Sequence, residues 1–190
     1  MRKFDVSSNM EITVRRICDT DVHQLSVLAR QSFFETFQNT CTVADMEGFL
    51  EANFNEAKLL DEIRDTGNQY FFAEAGGALA GYLLFAEDYC SFPLTAKWRS
   101  LELKRIYVLK SWLGKGIAHQ LMNLYLTYAS ENGFELAWLG VWEHNSRARR
   151  FYEKYGFANS GYTHDFPIGD TPQTDLWYWK YLRDDLAVRI

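Results

Sequence analysis

The stretch that most constrains the fold runs from Leu101 to Trp142. Leu101–Leu109 (LELKRIYVL) reads as a strand, and Leu136–Trp142 (LAWLGVW) is nearly all apolar, as expected of a strand covered on both faces. Between them Ile117, Leu121, Leu124 and Tyr128 recur at helical spacing from Gly116 onward, and Asn132-Gly133 supplies a C-cap. A strand, a helix and a second strand in that order form a βαβ unit. Its two strands should be parallel and its crossover right-handed.

The flanking sequence adds antiparallel elements. Glu11–Ile17 (EITVRRI) alternates as a first strand, and Asp19 or Thr20 is placed to cap a helix carrying Val22, Leu25, Leu28 and Ala29 on one face. A second, acidic helical segment is expected from Val43 to Arg64, broken near Asn53 and Asn55. Asn68–Glu74 and Leu79–Ala86 flank Gly76-Gly77, a pair that tolerates the positive φ angles of a tight hairpin. Phe92–Ser100 reads as a loop or insert. After the βαβ unit, Asn145 can cap a helix over Ser146–Tyr155 that Gly156 closes, and Phe157–Thr163 pairs with Asp175–Leu182 around Gly169-Asp170-Thr171-Pro172. The order β, α, α, β, β, β, α, β, α, β, β predicts an α/β (α+β) fold, a mixed and mostly antiparallel sheet with one central parallel pair and flanking helices.

The chain has 190 residues, 47% of them hydrophobic and 24% charged, enough for one domain (1–190, core about 11–182) to bury a core without disulfides or structural metal. A net charge of −5 argues against nucleic acid or an anionic membrane as partner and tolerates an amine. Met1–Met10 has no apolar signal region, and the longest apolar run, Ala75–Ala86, is well short of the roughly 20 residues a bilayer requires. Cys18, Cys41 and Cys90 are scattered and odd in number, so a reducing, cytoplasmic setting is expected. His23, His119, His144 and His164 lack metal-ligand spacing, and no metal is expected.

Chemistry concentrates just after each of the two crossover strands. Val108–Ala118 (VLKSWLGKGIA) is a strand end, a glycine-bearing loop and a helix start. Glycines let the backbone approach an anion, and the first N–H groups of the helix face it, so a phosphate or pyrophosphate fits. A dinucleotide fingerprint would want glycine at His119, and a Walker A loop would want Ser or Thr where Gly116 follows Lys115. The second feature is Asn145-x-x-Ala148-x-x-Phe151-Tyr152-x-x-x-Gly156-Phe157.

Together the two features resemble the GNAT superfamily of N-acetyltransferases. That resemblance implies that acetyl-CoA enters a gap between the two parallel strands. Its contacts would come from Ile106, Tyr107, Val108, Leu113, Gly114, Lys115, Gly116, Ile117, Ala118, Asn145, Ala148 and Tyr152. Leu113 stands where the family has Gln or Arg, which removes one side-chain contact from a cradle otherwise made of backbone. Lys110 is also placed for phosphates, and Arg147, Arg149 and Arg150 form a basic cluster that could meet the cofactor's adenosine 3′-phosphate or simply face water.

The resemblance implies direct transfer to an amine. Tyr152 would protonate the leaving thiolate, an N–H near Val108 or Leu109 would stabilise the oxyanion, and Glu102 would relay the amine's proton unless it pairs with Lys104 on the same face. Phe34-Glu35-Thr36-Phe37, Asp45-Met46-Glu47, Gly81-Tyr82 and Gln173-Thr174-Asp175 are similar to the bacterial spermidine/spermine acetyltransferase subgroup. Glu35, Phe37 and Tyr82 are then the expected acceptor contacts, with Asp45 or Glu47 holding distal ammonium groups. A protein N-terminus or an antibiotic amine as acceptor, a non-catalytic CoA-binding regulatory domain, and homodimer assembly all stay open at this stage.

Overall fold

A computed structural model describes residues 11–87 and 95–183. Met1–Met10, Cys90 and the start of the Phe92–Ser100 segment lie outside them. In chain order the elements are β1 (Ile12–Arg16), α1 (Val22–Phe37), α2 (Val43–Phe54), α3 (Glu56–Arg64), β2 (Asn68–Ala75) and β3 (Ala78–Glu87). They continue with β4 (Ser100–Val108), α4 (Ile117–Glu131), β5 (Leu136–Trp142), α5 (Ser146–Lys154), β6 (Ala158–Asp165) and β7 (Thr174–Tyr181).

The strands form one sheet in the order β1-β2-β3-β4-β5-β7-β6, antiparallel except for β4 beside β5. Tyr82 and Leu84 of β3 enter the cluster built by α1–α3, whereas Leu83 and Phe85 enter the one built around α4. Both faces of the central strand are therefore buried, and alternation gives way to a continuous apolar run. Each fully buried large side chain contributes on the order of 1.5–3 kcal/mol.

The helices follow local chemistry. Asn55 ends α2 and caps α3, its carboxamide oxygen accepting from Lys58 N, which is the break expected near Asn53 and Asn55. The first helix departs from expectation. Asp19–Asp21 form a single 3-10 turn and α1 begins at Val22, because the Asp21 carboxylate accepts from Arg15 and from the Cys18 N–H instead of capping the helix. On α4 the fully buried side chains are Ile117, Leu121, Met122, Tyr125 and Ala129, which leaves the predicted Leu124 and Tyr128 at the edge of the core. Among the described residues, no helix is long and apolar enough to cross a membrane.

Candidate active site

β4 and β5 are paired only at Ser100–Leu136, Leu101–Ala137 and Glu102–Trp138. Beyond that point β5 stays in register with β7 through Trp142, so β4 is the strand that leaves. The β3–β4 register slips by one residue at this position, Leu84 facing Arg105 and Phe85 facing Leu103, so Lys104 is extra. A bulge bends its strand and sharpens its twist. The parting of the two strands has its cause there.

The resulting groove, about 690 Å³, passes through the sheet. On the α4 and α5 side it is lined by Leu113, Gly114, Gly116, Ile117, Ala118, Asn145, Ala148 and Tyr152, and on the α1 side by Glu35, Phe37, Tyr107, Trp142, Phe166 and Asp175. Gly114 and Gly116 have φ of +79° and +89°, a region closed to most other residues. Among the described residues no acceptor meets the N–H of Gly114, Gly116, Ile117, Ala118 or His119. Lys110, His119 and Arg147 also border the groove. Such a cradle suits the phosphates of a large anionic cofactor.

Along a strand successive N–H groups point to opposite edges. The Leu109 N–H is taken by Ala80 O on β3 at 2.9 Å, so the N–H groups of Val108 and Ile106 face the gap. Of the two donors considered for an oxyanion, only Val108 is available. Asn145 caps α5 by accepting from Ala148 N at 3.0 Å, which fixes the start of the helix that carries Tyr152. Tyr152 is 7% exposed, and its hydroxyl has no hydrogen-bond partner among the described residues. Burial foremost, then the proximity of Tyr107 and Asp175, keeps that hydroxyl protonated well above its ordinary range.

Several sequence expectations land elsewhere. Lys115 does not line the groove; its ammonium sits 4.4 Å from the centre of the Trp112 ring. Glu102 lies at the paired end of β4, outside the lining, with its carboxylate 4.0 Å from Lys104 Nζ. Tyr82 is fully buried and stacked behind Tyr107 at 5.6 Å, so it supports the wall without reaching the groove. Asp45 is occupied in pinning the Gly169 loop, accepting from Asp170 N and the Thr171 hydroxyl, and these bonds hold its carboxyl below the ordinary range. Glu47 is exposed on α2, outside the lining. Glu35 does line it, though its oxygens accept from Lys110 N at 2.7 Å and from Gln31 at 3.0 Å. Of the three arginines only Arg147 borders the groove; Arg149 is held by Tyr178 and Glu143 O.

Asp175 was not among the expected site residues. Its carboxylate lies over Gly140 of β5, where a Cβ would stand 3.0 Å from Oδ2. A lone glycine in an otherwise apolar strand was the signal for this close approach.

Residues 29–157 match the model of the acetyltransferase (GNAT) family. The chain belongs to this family. It is 34% identical to an uncharacterized N-acetyltransferase from the pepI 3′ region of Lactobacillus delbrueckii subsp. lactis, over 90% of this chain and 98% of that one. Among solved structures, the PaiA N-acetyltransferase of Thermoplasma acidophilum in complex with coenzyme A superimposes with a TM-score of 0.71 at 22% identity, covering 90% of this chain and 99% of that one. The spermidine/spermine N-acetyltransferase SpeG of Vibrio cholerae does so with 0.63 at 22%, covering 95% and 98%. This GNAT enzyme is an N-acetyltransferase that uses acetyl-CoA. The glycine cradle, its acceptor-free N–H groups and the bordering cationic side chains fit the phosphates of that cofactor.

Proposed function

We propose that the enzyme transfers the acetyl group directly to a primary amine of a small molecule, with a polyamine as the acceptor class. The observation that carries this reading is the open end of the β4–β5 pair. There the Val108 N–H and the Tyr152 hydroxyl are both without partners among the described residues and border one groove. Acetyl-CoA, when bound, supplies a thioester carbonyl as electrophile. The Val108 N–H stabilises negative charge on that oxygen, a contribution typically worth about 3–4 kcal/mol per donor. The Tyr152 hydroxyl, kept protonated at neutral pH by its burial, donates to the charge that builds on sulfur.

The acceptor enters from the α1 side. Phe37 packs against Trp142 and Phe166 at ring distances of 5.3 and 6.2 Å, and with Tyr107 these rings give that end an aromatic wall. Aromatic faces attract alkylammonium groups by about 0.5–2 kcal/mol each. Glu35 adds a carboxylate, consistent with a cationic acceptor. Alkylamines, spermidine, spermine, an aminoglycoside and a peptide N-terminus, each assayed with acetyl-CoA by thiol release, test the reading. Preference for spermidine or spermine supports it; turnover confined to the peptide or the aminoglycoside replaces the acceptor class.

A further inference from the structure

Most carboxylates near the groove are committed. Glu35 holds Lys110 N, Asp45 holds the Gly169 loop, and Glu62 binds Arg105 at 2.7 Å. Asp175 differs: it borders the groove, and its carboxylate has neither a hydrogen bond nor an ion pair among the described residues. It sits in register opposite Trp142 on β5, and the missing side chain at Gly140 makes room for it beside the open end of the gap.

Resting on the acetyl-transfer reading, we propose that Asp175 is the catalytic base, seating the acceptor's ammonium group and taking the proton that its nitrogen must lose. The bond that forms joins this nitrogen to the acetyl carbon, and the bond that breaks is carbon to sulfur. The ammonium sheds two protons: one passes through the Asp175 carboxylate to solvent, and the other balances the proton that Tyr152 supplies to the thiolate. The sum is ammonium plus thioester giving amide, thiol and one released proton.

The surroundings favour this role. Tyr107 of β4 and Tyr152 of α5 are near enough to feel the Asp175 charge, and both are kept protonated by burial. His164 of β6 is its register partner, with its ring stacked on Trp177. Glu35, Lys104, Arg105, Lys110, His144 and Arg147 border the same groove; Arg105 is bound to Glu62 and Tyr70, and among the described residues no cation forms an ion pair with Asp175. Burial raises its carboxyl to about 6, which leaves it ionised at neutral pH yet more basic than an exposed carboxylate.

The test compares wild type, Asp175→Asn and Gly140→Ala, the last placing a methyl about 3.0 Å from Oδ2 without removing the carboxylate. Wild-type kcat/KM should fall below an apparent pKa near 6. Asp175→Asn should lose that limb and about 100-fold in rate at pH 7.5, and Gly140→Ala should lie between them. Calorimetry with spermidine or n-butylamine alone gives a readout independent of turnover. Wild-type affinity should drop about tenfold from pH 7 to pH 5, and Asp175→Asn should bind more weakly at a pH-independent level. An active enzyme whose acidic limb and amine affinity survive Asp175→Asn overturns the assignment of Asp175 alone. A wild type that acetylates no amine in the panel overturns the acceptor reading beneath it.

Discussion

The two ends of the β4–β5 pair are built from the same strands and the same residue types, and they differ in what those residues touch. At the closed end Glu102 faces Lys104, and the Tyr125 hydroxyl of α4 donates to Leu101 O at 2.7 Å. At the open end Asp175 and the Tyr152 hydroxyl of α5 have no partner among the described residues. Both tyrosines are buried and both are held protonated by that burial. Burial alone therefore does not separate structure from chemistry. The separation comes from whether the polar atom is spent on the protein, and one bulged residue, Lys104, decides where spending stops.

The sharpest way to break this comparison is to remove both hydroxyls. Tyr152→Phe should lower kcat by about 10²–10⁴-fold with acetyl-CoA affinity and melting temperature nearly unchanged, because no protein bond is lost. Tyr125→Phe should leave kcat intact and cost about 1 kcal/mol of stability, the net worth of its bond to Leu101 O. Stopped-flow turnover and thermal melts of the two variants measure both effects. Equal loss of turnover in both would mean that the closed end also serves the reaction.

The next contrast is in stability against pH. The Asp175 carboxyl is raised in the folded state to about 6 from an ordinary 3.8. Folding then favours its protonated form, so its contribution is most favourable below pH 4 and becomes a burden as pH rises through 6. Asp175→Asn should stabilise the protein at pH 8 by up to about 3 kcal/mol, with the gain vanishing near pH 4. Asp21 has the opposite sign. Hydrogen bonds from Arg15, foremost, hold its carboxyl down at about 2, so its stabilisation is present above pH 4 and is lost as pH falls toward 2. Urea melts from pH 2 to 8 separate the two; a destabilising Asp175→Asn at pH 8 would show that the carboxylate has a partner in solution.

The helix α4 offers a smaller contrast between its own ends, since both are flanked by glycines of positive φ, Gly116 at +89° and Gly133 at +72°. Gly116→Val and Gly133→Ala should each cost about 1–2 kcal/mol of backbone strain. Only Gly116→Val should also weaken acetyl-CoA binding, by about tenfold, because only that end offers acceptor-free N–H groups to phosphates. Calorimetry of both variants decides the point, and equal affinities would move the phosphates off the loop.

Much of this frame was legible in the chain. The apolar run of β5, the Gly76-Gly77 turn, the helix break at Asn55 and the Asn145 cap each act within a few residues, so local pattern was enough. The glycine loop and the position of Tyr152 were likewise local. What could not be read depends on pairing between distant strands. The bulge at Lys104 carries no glycine or proline to mark it, and without it the end of β4 that enters the gap could not be told from the end that stays paired. Glu102 was expected in the gap for that reason. Asp175 was quoted only within the Gln173-Thr174-Asp175 resemblance and given no role in the site, because it lies in an aromatic strand and its closeness to Gly140 follows only from the β5–β7 register. The acidic helix residues were likewise read as free ligands, whereas Glu35 and Asp45 are bound to backbone N–H groups more than 70 positions away.

The smallest expected effect tests that correction directly. Glu102 and Lys104 stand 4.0 Å apart with side chains 18% and 37% exposed, a partly solvated pair whose net worth is about 0–1 kcal/mol. Were Glu102 the proton relay, Glu102→Gln would depress kcat/KM by orders of magnitude and shift its acidic limb. If it serves the closed end, the glutamine keeps the shape, loses the weak attraction to Lys104, and leaves both the limb and its midpoint where they were. A pH–rate profile of Glu102→Gln beside that of Asp175→Asn is therefore a direct comparison of the two carboxylates. An altered limb in the first and an unaltered one in the second would exchange their roles and place the chemistry on the paired side of the bulge.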